Sequence, residues 1–155
     1  MDFEINGLPV DEFSHLFGLS DAELSRQGVT RRICDEAPGY PDRIEMRDAK
    51  LGESLLLLNH TSMAKNSPYR ASHAIYVLEN AQNTYHARNE IPDVMYRRIL
   101  SLRGFDQDGM ILDACVAQGD DIRSAILKLL TDDRIVHIDA HNAAQGCFSG
   151  RITRA

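Results

Sequence analysis

The sequence predicts an α+β fold, in which a mixed, mainly antiparallel sheet carries about three or four helices packed on it. Short aliphatic or β-branched runs bounded by Gly, Pro and Asn predict the strands, namely Val29 to Cys34, Ser54 to Asn59 and His73 to Leu78. Two further runs, Leu100 to Phe105 and Met110 to Val116, flank Asp106-Gln107-Asp108-Gly109, whose glycine suits the positive φ that closes a hairpin. One helical stripe, Ile122, Ala125, Ile126 and Leu129, supplies the longest helix, over Asp120 to about Leu130.

The remaining elements follow in order. An opening strand is expected around Phe3 to Ile5. Val10, Phe13 and Phe17 recur at helical spacing before Gly18, predicting a short helix that stops on a left-handed residue. Ser20-Asp21-Ala22-Glu23 is a capping box, with Leu19 and Leu24 at staple positions, so a second short helix runs to Gly28. Pro38-Gly39-Tyr40-Pro41 and Asn66-Ser67-Pro68 break the chain into loops, and Pro92 suits the first turn of a helix through about Arg98. Arg134 to about His141 and Phe148 to Thr153 read as strands. The helix from Asp120 is then expected as a crossover between neighbouring parallel strands. The total is seven or eight strands.

Length bounds the organisation. The 155 residues, 43% hydrophobic, suit one domain over 1–155 that buries roughly 70% of its unfolded surface around a single core. The 23 acidic and 17 basic residues give a net charge of -6, spread along the chain, which argues against nucleic acid and anionic membranes as partners. Met1-Asp2-Phe3-Glu4 lacks the basic start of a secretion signal, and the longest aliphatic run, Leu55 to Leu58, is far too short to span a bilayer, so a cytoplasmic location is expected. Cys34, Cys115 and Cys147 are odd in number and widely spaced, as reduced thiols are.

Several polar groupings carry candidate chemistry. Alternation along Arg134 to Asn142 puts His137, Asp139 and His141 on one strand face, and Val136, Ile138 and Ala140 on the other. Residues four apart on a strand stand roughly 13 Å apart, beyond one coordination shell, so only Asp139 with His141 offers a metal pair. The alternative is a hydrated polar face. Cys147 is a candidate nucleophile with His141 or His73 as base, against the alternative of a structural thiol. Adjacent strand residues point to opposite faces, so Asn142 cannot orient His141 without a break in the strand. Arg70, Ser72 and Arg103, with Asn142, are candidate ligand-binding residues, because an arginine can grip a carboxylate or phosphate with two parallel hydrogen bonds. Arg103 and Asp113 have the competing reading of a cross-strand ion pair. His15, His60 and His86 have no nearby partner pattern, and Arg97-Arg98 is too short a basic run to mean more than a solvated helix face, so none receives a role.

Two motif likenesses fail on spacing. Asp106 to Gly109 lacks the later ligands of a calcium loop. Cys147 to Arg151 has three intervening residues where a phosphatase loop has five. No cofactor signature is present.

The stretches His15-Leu16-Phe17-Gly18-Leu19-Ser20-Asp21, Leu56-Leu57-Leu58-Asn59, Ser67-Pro68-Tyr69-Arg70, Ser101-Leu102-Arg103, and His141-Asn142-Ala143 followed by Gly146-Cys147 carry a resemblance. The chain resembles, end to end, a family of small bacterial proteins classed as domain of unknown function 1203. That resemblance implies a stand-alone cytosolic bacterial protein and assigns no activity, substrate, cofactor or residue role.

The readings left open belong to different classes. One is a protein that binds a small anionic metabolite in a polar pocket. Another is a small-molecule enzyme with a Cys nucleophile and a His base. The third is a non-catalytic structural or interaction protein, for instance a homodimer joined through a sheet edge.

Overall fold

The computed structural model describes residues 1–155 and divides the strands between two sheets, every strand pairing in both being antiparallel. In chain order the strands are β1 (Phe3–Asn6), β2 (Thr30–Ile33), β3 (Ser54–Met63), β4 (Ala71–Leu78), β5 (His86–Arg88), β6 (Leu100–Phe105), β7 (Ile111–Ala117), β8 (His137–Asn142) and β9 (Phe148–Arg154). The larger sheet has the order β5-β1-β9-β8-β6-β7 and the smaller β2-β3-β4. The α+β class therefore stands in a strand-dominated form. The helices are α1 (Asp21–Arg26), α2 (Asp93–Tyr96) and α3 (Asp121–Leu129), and only α3 exceeds two turns.

Local signals act where the chain can satisfy them without distant help. Ser20 Oγ accepts from the Glu23 amide at 3.2 Å and the Ser20 amide donates to Glu23 Oε2 at 2.8 Å, completing the capping box that starts α1. Gly109, at φ 81°, closes the β6–β7 hairpin, while Asp106 Oδ1 accepts from the amides of Asp108 and Met110, each at 2.9 Å. The helix expected before Gly18 is instead two 3-10 turns, Val10–Glu12 and Ser14–Leu16. Its three apolar positions are too few to support a full α-helical segment.

Three expectations of topology need correction. Strand β5 was not foreseen, because three polar-flanked residues carry no alternation; it forms by pairing with β1 at the sheet edge. Strands β7 and β8 both run antiparallel to β6, hence parallel to each other, but β6 lies between them. The helix α3 thus crosses over β6 rather than joining neighbours, because the tight hairpin already fills the place beside β6 on one side. The single expected core is two apolar clusters. One gathers Ile138 and Ala140 of β8 with Ile122, Ile126 and Leu129 of α3; the other gathers Leu56, Leu58, Ile75 and Val77 of the smaller sheet with Leu24 and Phe13.

The two clusters follow from the larger sheet being covered on both faces. On β8, odd and even positions face opposite layers. Ile138 and Ala140 enter the core under α3, while His137, Asp139 and His141 turn toward the smaller sheet. The polar face expected to be hydrated is therefore buried: these three residues are 8%, 1% and 2% exposed. No helix is long and apolar enough to cross a membrane.

Candidate functional site

The seam between the sheets is held by polar contacts. Arg151 of β9 lies opposite Asp139 in register and grips it with Nε and Nη2 at 2.7 and 2.9 Å, while Nη2 also donates to the Ser62 carbonyl of β3 at 2.8 Å. Both oxygens of this buried carboxylate are thus satisfied by a charge-assisted pair that ties β8, β9 and β3 together. His141 meets His73 of β4 edge-on, with ring centroids 5.0 Å apart, and its Nδ1 contacts the Gly146 carbonyl at 2.8 Å. His137 stacks on Phe105 at 5.3 Å. Burial pushes His137 and His141 down to about 4 and lowers His60 and His73 as well, so the seam favours neutral imidazoles.

At one end of this seam β8 stops and the chain turns sharply. The Asn142 amide donates to the Cys147 carbonyl at 2.9 Å, the Gly146 amide donates to the Asn142 carbonyl at 2.7 Å, and Gly146 sits at φ 79°. A left-handed residue is needed to reverse the strand in so few residues. The turn leaves Asn142 beside Cys147, with Nδ2 3.6 Å from Sγ.

The other wall comes from the loop between β2 and β3. Asp42, 1% exposed, accepts from the amides of Ile44 at 3.1 Å and Leu78 at 2.7 Å, and a bridge to Tyr76 fixes this loop against β4. Burial raises the Asp42 carboxyl above its usual range, and the three amides that donate to it, Leu78, Ile44 and Glu45, oppose that rise. With Asp42 anchored, Arg43 turns inward. It is 2% exposed, and its Nε donates to the Phe148 carbonyl at 2.8 Å, Nη1 to the Pro41 carbonyl, and Nη2 to Cys147 Sγ at 3.2 Å. These partners are two carbonyls and a sulfur; none is a carboxylate. Burial lowers the Arg43 pKa, and the Cys147 sulfur is the foremost influence opposing that fall.

Between these walls opens a cavity of about 460 Å³, lined by Arg43, Arg98, His73, Asn142, Gln145 and Cys147 on its polar side. Leu57, Ile75, Tyr76 and Pro41 form its apolar side. None of its lining residues is acidic, although the chain carries 23 acidic residues. Arg98, two residues past the end of α2, pairs with Asp48 through Nη2 at 2.6 Å, and Arg97 approaches the same carboxylate at 3.9 Å, so two cations share one anion beside the cavity. The Asn142 side-chain oxygen, on a residue 4% exposed, has no hydrogen-bond partner.

The sequence-predicted residues separate into groups. Cys147, Asn142 and His73 line the cavity, and His141 sits behind His73 in the seam. Arg103 lies on the seam face of β6, where Nε donates to Ser101 Oγ at 3.1 Å. Its anticipated ion pair with Asp113 does not form, because Asp113 stands opposite Gly104 and accepts from the Ala114 amide. Ser72 points to the opposite face of β4 and bonds Thr61 at 2.7 Å; Arg70 donates to the Ala64 carbonyl in the same exposed region. Asp139 and His141 do not make a metal pair, since Arg151 occupies both Asp139 oxygens. No group of three or more His, Cys, Asp or Glu side chains is placed to hold a metal ion.

Arg43 and Arg98 were not foreseen. Arg43 belongs to an irregular loop in which no period announces burial. Arg98 read as a solvated helix face, whereas its side chain is 22% exposed and paired with Asp48.

The sequence profile of DUF1203, a family described as protein of unknown function, matches residues 39–154, and the chain belongs to that family. The matched range takes in Arg43, Arg98, Asn142 and Cys147, and leaves out the His15–Asp21 stretch. No curated protein and no solved structure matches the chain.

Proposed function

For this member of a family of unknown function, we propose that the cavity beside Cys147 binds a small molecule carrying a carboxylate or phosphate group. The observation that carries the reading is Arg43. Taking a guanidinium out of water is costly unless an anion compensates it, and this one has no carboxylate partner. A guanidinium has five N–H groups. Three of them are engaged, on the Phe148 carbonyl, the Pro41 carbonyl and the Cys147 sulfur, which leaves two N–H groups for a ligand. Arg98 also lines the cavity, where its pair with Asp48 leaves part of its guanidinium free, and no acidic residue lines the cavity to pair with Arg43.

The apolar side formed by Leu57, Ile75 and Tyr76 suits the carbon skeleton of the ligand, while the cavity volume of about 460 Å³ suits a metabolite rather than a polymer. The unpartnered oxygen of Asn142 offers an acceptor for a ligand hydroxyl or amine.

Calorimetric titration with a panel of small carboxylates and phosphate esters tests the reading. Binding is expected for at least one anionic class, weakened about tenfold or more in Arg98→Gln through loss of a charge-assisted contact. Cys147→Ser is expected to retain affinity. Equal affinity for anionic and neutral analogues would remove the basis of the proposal.

A further inference from the structure

Cys147 stands apart from the other two thiols. Cys34 is 2% exposed and its Sγ donates to the carbonyls of Glu36 and Ala49. Cys115 packs against the core under α3, and burial raises its pKa. Cys147 is partly exposed, opens on the cavity, and receives N–H groups from two side chains, Arg43 Nη2 at 3.2 Å and Asn142 Nδ2 at 3.6 Å. Two donors converging on one sulfur match an acceptor that carries negative charge. The neighbouring Asn142 oxygen is a second, independent sign that the site is incomplete without a ligand, because it is buried and unpartnered beside that sulfur.

We propose that Cys147 exchanges with small anionic disulfides, forming a mixed disulfide inside the cavity; the charge preference rests on the anion-binding reading above. The Cys147 proton is lost to solvent. The thiolate attacks one sulfur of the ligand, a new sulfur–sulfur bond forms, and the old one breaks. The leaving sulfur departs with the bonding pair as a thiolate and takes a proton from solvent. The cysteine is oxidised to a mixed disulfide and the ligand disulfide is reduced to one free thiol plus the bound half, so the ligand is the oxidant and atoms balance. A carboxylate on the bound half meets Arg98 and the two remaining N–H groups of Arg43. No other cysteine lines the cavity, so the adduct is released by a second small thiol and not by an internal disulfide.

The charge preference is distinctive because the surroundings push the other way. A chain of net charge -6 and a thiolate nucleophile both favour cationic disulfides in free solution. Three disulfides of similar length separate the effects: dithiodipropionate, with two carboxylates, neutral hydroxyethyl disulfide, and cystamine, with two ammonium groups. Intact-mass kinetics and peptide mapping on the wild-type chain are expected to show modification at Cys147, faster with dithiodipropionate than with cystamine by about tenfold, the size of one charge-assisted contact. Asn142→Asp, nearly isosteric, sets a carboxylate beside the sulfur and is expected to slow the reaction by about tenfold. Arg43→Gln should act in the same direction, and Asn142→Asp keeps the test decisive if the loss of Arg43 prevents folding.

A faster reaction with cystamine overturns the proposal by removing its charge preference, and with it the anion-binding reading. Absence of any Cys147 adduct, while phosphate esters still bind, overturns the disulfide exchange alone.

Discussion

The guanidinium of Arg43 donates to the sulfur of Cys147 at 3.2 Å, across 104 positions of sequence and between a loop and the turn that precedes β9. Each side is held by backbone. The Arg43 amide donates to the Tyr76 carbonyl at 3.2 Å, its carbonyl accepts from Leu8 at 2.7 Å, and Cys147 is fixed by the Asn142 turn. The contact is consequently preorganised: no ligand is required to bring the two groups together.

The three thiols should react in a fixed order. Under limiting iodoacetamide, Cys147 is expected to be alkylated well before Cys115 and Cys34, since it alone is both partly exposed and surrounded by donors. Peptide mapping over time reads this. Equal labelling of Cys115 and Cys147 would show that exposure alone governs reactivity.

The buried histidines set an acid limit on stability. His137 and His141 are held at about 4 by burial, below the unfolded value near 6.5, so the unfolded chain binds more protons between those values. Stability is therefore full above about pH 6.5 and falls as pH drops toward about 4. Urea midpoints measured across this window should decline, and His137→Gln should flatten the decline. A midpoint unchanged between pH 7 and 4.5 would contradict neutral burial of the pair.

A separate window belongs to the carboxylates. Arg31 Nε and Nη2 reach Glu79 at 2.9 and 2.8 Å, and the Arg31 side chain also pairs with Asp21, tying α1 to the smaller sheet. The Arg31 guanidinium holds Glu79 down at about 2, so its contribution is present above the usual carboxylate range and is lost as pH falls through about 2. Glu79→Gln should cost about 2 kcal/mol at pH 7, the scale of lost charge-assisted hydrogen bonds. The cost should shrink in acid, and chemical denaturation at both pH values would detect it.

Gly7 limits how the Arg43 loop can dock. A Cβ at this position would meet the Ile44 carbonyl oxygen closer than any side chain tolerates, with backbone on the other side of the contact. Gly7→Ala is expected to destabilise by about 1–3 kcal/mol, as overpacking does. It should also loosen the Arg43 wall, lowering the alkylation rate of Cys147 while leaving that of Cys115 unchanged. A neutral thermal shift would show that the loop is free to move.

Much of the fold was legible where the signal is local. Ser20 and Glu23, Asp106 and Gly109, and the α3 stripe each need only neighbours within a few positions. The division into two sheets was not legible, because alternation on β8 shows that His137, Asp139 and His141 share a face but not what covers it. Alternation separates Asn142 from His141, yet the turn that ends β8 brings Gly146 to His141 Nδ1 and Cys147 to Asn142 Nδ2. Arg43 escaped notice because its burial depends on Asp42 capturing amides from its own loop and from Leu78, 36 residues away. Arg70 and Ser72 looked functional beside a proline turn, yet Arg70 donates to the Ala64 carbonyl, Ser72 bonds Thr61, and neither lines the cavity.

The central claim is that the buried, carboxylate-free Arg43 makes the cavity beside Cys147 an anion site. Following the Nε–H resonance of Arg43 by NMR during titration with inorganic phosphate and succinate tests it most directly. A saturable shift at Arg43, with Arg98 and the Asn142 side-chain amide moving along the same curve and exposed Arg88 and Arg134 unmoved, is the predicted result. A small, non-saturating drift shared by all four arginines would contradict it.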